Sequence, residues 1–366
     1  MWTFVVMPCL NEEKNLWNTA HSLGFGRGKN EHLIPDTYLV IVDNYSSDKT
    51  LEIAEQIKTE TENNKVITTI EKERGYIPPR RRGNQLVEEF CKRHHVNPHD
   101  VLIIQADADT VYSQGYIAQF TQAASTMSEG TLLEGLANYP IEFRTSSTFY
   151  VDICQRVDQH LASYFANSEE DIVVDDKTCA YRLSDYTDWG GFIREFNVMG
   201  EEIYAETTRL FIRGKSQGAK KKVVEEAVSF HSTRKLMDYP AVDFVTPGYP
   251  HTTRDLFSLK KLYPHNLEYF QSINDSNVQF QQMVKVRQEH LIALFIVLPL
   301  HIKITIKSQC FSAKDDIEMM IAEKLPIRSK SEMYNNPSMF IADAFRITRE
   351  LRDHVVHQLK DLRSDR

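Results

Sequence analysis

Val101-Leu102-Ile103-Ile104-Gln105-Ala106-Asp107-Ala108-Asp109 runs from an unbroken set of apolar β-formers into two carboxylates. A short apolar run closed by polar residues reads as a buried strand of a sheet covered by helices. Its carboxyl end is the edge at which open α/β sheets bind ligands. Residues i and i+2 of an extended segment point the same way, so Asp107 and Asp109 can converge on one hard cation that also holds phosphate oxygens. Taken alone, the Asp-x-Asp spacing is weak evidence, because aspartate also favours turns after strands.

The N-terminal segment strengthens it. Thr3 to Pro8 reads as a strand opening into Cys9-Leu10-Asn11-Glu12-Glu13 and a helix over 14–22. Tyr38 to Val42 is a second apolar run, ending in Asp43-Asn44-Tyr45-Ser46-Ser47-Asp48-Lys49-Thr50 before a helix over 51–58. A third strand over 65–70 precedes a Gly/Pro/Arg loop and a helix over 84–94. Strand alternating with helix predicts a parallel sheet, with each polar cluster at its C-terminal edge.

The ordered segments MPCLNEEKNL (7–16), IVDNYSSDKT (41–50), ERGYIPPRRRGNQ (73–85) and QADAD (105–109) resemble the nucleotide-sugar half of the family 2 glycosyltransferases. The segment 181–214, YRLSDYTDWGGFIREFNVMGEEIYAETTRLFIRG, is similar to that family's acceptor side, in which an acidic pair opens a helix and Arg-Leu follows about two turns later. The resemblance implies a GT-A fold over 1–235, Rossmann-like, with a mostly parallel central sheet flanked by helices. Residues 236–366 read as a mainly helical C-terminal extension, entered through a loop at Pro240, Pro247 and Pro250.

It also implies roles. Pro8, Asn11 and Glu12 would surround the nucleoside, and Asp43 would face the base or ribose, where a carboxylate suits ring N–H groups and hydroxyls. Asp43 and Ser46 have a plainer reading as helix caps. Arg80, Arg81 and Arg82 depart from the usual small loop with one Arg beside Asn. One guanidinium, expected to be Arg82, would fork onto the diphosphate. Asp109 is expected to ligate Mg2+ or Mn2+, with Asp107 as ribose or supporting partner and His231 as a further ligand, an imidazole suiting manganese better than magnesium. A lone His is nonetheless often structural. Gly200-Glu201-Glu202 supplies candidates, Glu201 or Glu202, for the base that displacement at an anomeric carbon requires. The usual second residue of that pair is Asp, and glutamate in a first helical turn is also favoured by the macrodipole. Trp189 would stack on a sugar or acceptor ring and Gly190-Gly191 would pack backbone against it, or the glycines only permit a turn.

Composition fits this reading. The 366 residues hold a domain of about 250 residues plus an extension, with 42% hydrophobic content for a core. A net charge of -8 argues against nucleic acid as a partner. Five cysteines without Cys-x-x-Cys suggest a reducing compartment. With no signal-peptide pattern at the first strand, cytoplasmic residence is the expectation. The apolar run Leu291 to Leu300 reads as too short to span a bilayer and as a buried helix. Peripheral membrane contact stays open, since many glycosyl acceptors are lipid-linked.

The sequence therefore predicts a metal-dependent glycosyltransferase, hexosyltransferase-like. It would move a sugar from a nucleotide diphosphate, UDP- or GDP-linked, to a hydroxyl of a saccharide, glycolipid or small molecule, with inversion. A retaining GT-A enzyme would share the Asp pair and His231 without needing the acidic pair as base. A nucleotidyltransferase would open with a Gly-rich loop that MPCLNEE lacks. A dead nucleotide-binding or scaffold module is the non-enzymatic alternative.

Overall fold

The computed structural model describes residues 1–28, 34–159, 161, 170–197, 199–247, 253–263, 266–307 and 311–364. Eight strands form one sheet: β1 Trp2–Cys9, β2 Thr37–Asp43, β3 Val66–Ile70, β4 Val101–Gln105, β5 Thr110–Tyr112, β6 Thr131–Asn138, β7 Cys179–Arg182 and β8 Lys220–His231. Their order is β3-β2-β1-β4-β7-β6-β8-β5. The first four are parallel, as the alternation of strand and helix requires. The remainder is mixed rather than parallel: β7 runs antiparallel to β4 and β6, β5 antiparallel to β8, and β6 parallel to β8.

Helices α1 Leu16–Ser22, α2 Thr50–Glu60, α3 Ile77–His94 and α4 Tyr116–Thr126 connect these strands. Side-chain alternation sorts them onto the two faces. Val5, Met7, Leu39, Ile41, Leu102 and Ile104 pack with Leu16 and Ala20 of α1, Ala54 and Ile57 of α2, and Phe120 and Ala124 of α4. Fully burying a side chain such as Ile41 or Ile104 contributes roughly 1.5–3 kcal/mol. The opposite face carries α3, where Phe90 packs on Phe4 and Tyr38. Gly83 lets α3 approach closely, since a Cβ there would lie 2.3 Å from Val6 Cγ1.

The sequence reading starts this helix at 84, but it begins seven residues earlier at Ile77. Pro78 and Pro79 occupy its first turn, where a missing N–H is no loss and the fixed φ is already helical. That shift moves the three arginines from a loop onto a helix.

By internal contacts the chain divides into one unit of 1–140, 174–193 and 217–232, which holds the whole sheet, and a second of 141–173, 194–216 and 233–366. The second is largely helical and takes in two segments that precede residue 235 together with the C-terminal helices. The stretch expected as loop from Pro240 forms a short helix, Pro240–Val245. Arg287 forks onto Asp158 inside this unit, with both contacts at 2.6 Å.

The apolar run at 291–300 is part of one helix, Val278–Lys307, 30 residues long. By length and composition that helix could cross a membrane, which corrects the expectation that it is too short, while 67% of its apolar window is buried within the protein. A π-helical turn at Ala293–Val297 interrupts its α-helical pattern, and Pro337–Ser364 packs along it. The four described cysteines are free thiols, and Cys310 lies outside the described residues.

His301 on this helix is fully buried, with its ring 4.5 Å from that of Phe340. Burial lowers its pKa to about 4, against an opposing pull from Asp343. The unfolded imidazole titrates near 6.5, so between those values the unfolded chain binds the extra proton. The stability of the neutral ring is present above about pH 6.5 and is lost as pH falls towards 4. Urea unfolding of His301→Leu should therefore show a loss between pH 7 and pH 4.5 smaller than that of wild type by roughly 2–3 kcal/mol. Equal losses in the two proteins would refute the assignment.

Candidate active site

The parallel register decides which loops meet. Cys9 at the end of β1 is level with Asp43 at the end of β2, and Val6 is level with Gln105 at the end of β4. The loops carrying Asn11 and Glu12, Asp43 to Thr50, and Asp107 to Asp109 thus emerge side by side. Cys9 registers their charge: burial first, and then the carboxylates of Asp43, Glu12, Asp107 and Asp109, push its thiol well up.

The first two loops are stitched together. Asn11 N–H donates to Ser46 Oγ at 2.9 Å, and Ser47 N–H returns a bond to Asn11 Oδ1 at 2.9 Å. Glu12 N–H donates to Thr50 Oγ1 at 2.7 Å, and its carboxylate accepts from Asn15 at 2.7 Å. Ser46 therefore fastens loop to loop, and Asp48 holds the Thr50 N–H at the start of α2. Asp43 caps no helix either. It is 2% exposed, and its Oδ2 accepts from Ser46 N–H at 3.1 Å. Its Oδ1 is buried with no hydrogen-bond partner among the described residues. A buried carboxylate oxygen without a donor is costly, so this oxygen is an unsatisfied acceptor at the sheet edge.

Asp107 is held from two sides. Its N–H donates to Tyr112 Oη at 2.9 Å, and Tyr112 in turn donates to Lys177 O at 3.1 Å, its phenol kept protonated by burial. Arg80 Nη2 reaches Asp107 Oδ1 at 2.6 Å and Asp176 Oδ2 at 3.1 Å, while Nη1 donates to Gln105 Oε1 at 3.2 Å. The Arg80 side chain is only 5% exposed. Gln105 continues inward to Asn84 and Tyr181, so the guanidinium sits on a buried polar network. Arg82, the arginine expected here, pairs instead with Glu89 along the exposed side of α3. Asp176 joins the site because β7 pairs with β4, with Ala180 level with Ile104.

Asp109 lies half-buried in the turn into β5, and Thr110 beside it is level with His231 at the end of β8. The backbone thus places His231 one position from Asp109, with its ring tilted on Tyr139 at 4.7 Å. Among the described residues no three His, Cys, Asp or Glu side chains form a preformed cation site. The donors present suit a hard divalent ion bound by one or two protein groups, with phosphate oxygens completing its shell.

In the other unit, Glu202 bridges Phe196 in antiparallel pairing, and the helix that follows starts only at Glu206. The acidic pair therefore precedes that helix instead of opening it. Arg194 forks onto Glu202 at 2.8 and 2.9 Å, and Glu201 accepts from Asn197 Nδ2 at 2.7 Å. Trp189 is 2% exposed, so its ring is used in packing and is not presented to a sugar. Gly190 and Gly191 both have left-handed φ, 80° and 65°, and a Cβ on Gly191 would meet Tyr186 at 3.1 Å, which accounts for the pair as a turn. Pro8 is level with Val42 within the sheet.

Residues 4–128 match the family model described as Glycosyl transferase family 2. All four ordered motifs, from 7–16 to 105–109, fall inside that match, while 181–214 lies beyond it. Over that stretch the chain is similar to the family 2 glycosyltransferases. No curated protein matches the chain. Among solved structures, it is similar to Staphylococcus aureus TarS 1–349 in complex with UDP-GlcNAc, with 12% identity, 97% of this chain and 92% of that one covered, and a TM-score of 0.45. It is also similar to the mannosyltransferase PcManGT from Pyrobaculum calidifontis in complex with GDP-Man and Mn2+, with 12% identity, 93% and 85% covered, and a TM-score of 0.46. Likeness at that level carries no substrate or residue role to this chain.

Proposed function

We propose that the chain transfers a sugar from a nucleoside diphosphate donor, UDP- or GDP-linked, to an acceptor hydroxyl, with Mg2+ or Mn2+ and with inversion. The observation that supports this best is the gathering of Asp43, Asp107 and Asp109 at one sheet edge, with an open buried oxygen on Asp43 and Arg80 clamped on Asp107.

In this reading Asp43 Oδ1 receives an N–H or O–H of the nucleoside, which answers its missing donor. The Asn11–Ser46 stitch holds the loop that presents it. Arg80 holds the Asp107 carboxylate and Tyr112 its backbone N–H, which pre-positions the residue for the donor. Asp109 and His231 would hold the divalent ion, which when bound would neutralise the charge developing on the departing diphosphate. Asp107 would support it, and Arg80 replaces Arg82 as the arginine of the site. Glu201 and Glu202 are the candidates for the base. Arg194 forks onto both oxygens of Glu202, and Glu201 accepts from the Asn197 amide, so the two carboxylates differ in surroundings and either is a candidate to receive the proton.

Turnover of Glu201→Gln and Glu202→Gln with the anomeric configuration of the product tests this. An inverted product and loss of about 100-fold or more in kcat for one of the two variants support the base and identify it. A retained configuration with both variants active would contradict it.

A further inference from the structure

Resting on the nucleotide reading above, we infer that Tyr45, backed by Arg74, is the surface on which the donor's nucleobase stacks. Tyr45 lies two residues beyond Asp43 at the end of β2. Its φ is +60°, a left-handed conformation that glycine adopts freely and a bulky aromatic residue does not. Strain of this kind collects at ligand clamps. The residue is 58% exposed, so core packing does not explain a bulky side chain on this backbone.

The surroundings hold the ring in place. Arg74 Nη2 donates to Tyr45 O at 2.6 Å, and its guanidinium lies 5.5 Å from the Tyr45 ring centroid. Asn44 welds the two loops, donating to Glu71 O at 3.0 Å and Glu73 O at 2.7 Å and accepting from Gly75 N–H at 3.3 Å. One face of the ring is thus backed by a cation on a braced loop, and the residue's exposed remainder lies on the loop that leaves Asp43 at the end of β2. A planar heteroaromatic base is the ligand that an exposed, cation-backed ring on this loop suits, by stacking on it. Stacking tolerates any base, so Tyr45 adds affinity for nucleosides in general.

Isothermal titration of the full chain with UDP, GDP, CDP and dTDP, and separately with pyrophosphate, all with Mn2+, tests this on wild type, Tyr45→Gly, Tyr45→Phe and Arg74→Ala. Tyr45→Gly should weaken the preferred nucleotide about 5- to 100-fold. It should leave pyrophosphate binding unchanged, because that probe has no base. Tyr45→Phe should keep wild-type affinity, and Arg74→Ala should weaken the nucleotide to a smaller degree. Glycine suits the backbone here, so the melting midpoint of unliganded Tyr45→Gly should equal or exceed that of wild type. If Tyr45→Gly binds nucleotide as wild type does, or weakens nucleotide and pyrophosphate alike, the stacking role is refuted while the nucleotide reading survives. If wild type binds none of the four, both fall together.

Discussion

Replacing Arg80 with methionine should destabilise the protein by about 2–3 kcal/mol and remove its response to nucleotide and metal. The guanidinium is nearly buried and bridges Asp107 and Asp176. Losing one member of a fully buried ion pair costs about 3–5 kcal/mol. The two carboxylates are 30% and 37% exposed, so water recovers part of that cost. Lysine at this position keeps the charge but lacks the fork that serves Asp107, Asp176 and Gln105 together, and should fall between the two. Arg82→Met is the control. Its ion pair with Glu89 lies on the exposed side of α3, so the change should stay within about 0.5 kcal/mol with full activity. Chemical denaturation together with a turnover assay reads both quantities. Equal effects at 80 and 82 would overturn the assignment.

Asp109→Asn should separate chemistry from stability. On the proposed function, turnover should drop by about 100- to 1,000-fold, because the charge that would hold the cation on the diphosphate is gone. The unfolding midpoint should hold or rise. Asp109 is one of four carboxylates that, after burial, push the Cys9 thiol up, so removing its charge lightens the negative field at the end of β1. A variant that retains most of its turnover would show that Asp109 is not the ligand.

The N-terminal half of the fold was legible because its signals are local. Apolar runs at 38–42 and 101–104 became β2 and β4, and the polar residues after them reached the edge that parallel strands require. Arg80 was hidden by a boundary error. Once α3 starts at Ile77, Arg80, Asn84, Val87 and Cys91 fall on one buried stripe, and Arg81 and Arg82 face outward. Two adjacent prolines suggested a loop, although a first helical turn accepts them. Asp176 had no such signal, since the β4–β7 pairing that brings it to Asp107 joins residues far apart in sequence. Tyr45 was visible as a residue, but its left-handed backbone was not, because nothing in the flanking polar cluster requires that conformation. The Arg194 fork on Glu202 depends in the same way on an antiparallel bridge that strand periodicity does not announce.

The most direct test of the account is a thermal-shift measurement on the wild-type chain with UDP, GDP, CDP and dTDP, each with and without Mn2+. Ligand that binds only the folded state raises the midpoint by mass action, worth about 2.7 kcal/mol at a hundred times Kd. The account predicts that one of these nucleotides, UDP or GDP first, raises the midpoint by several degrees with Mn2+ and much less without it. No shift with any of the four, or an equal shift with and without the metal, would contradict it.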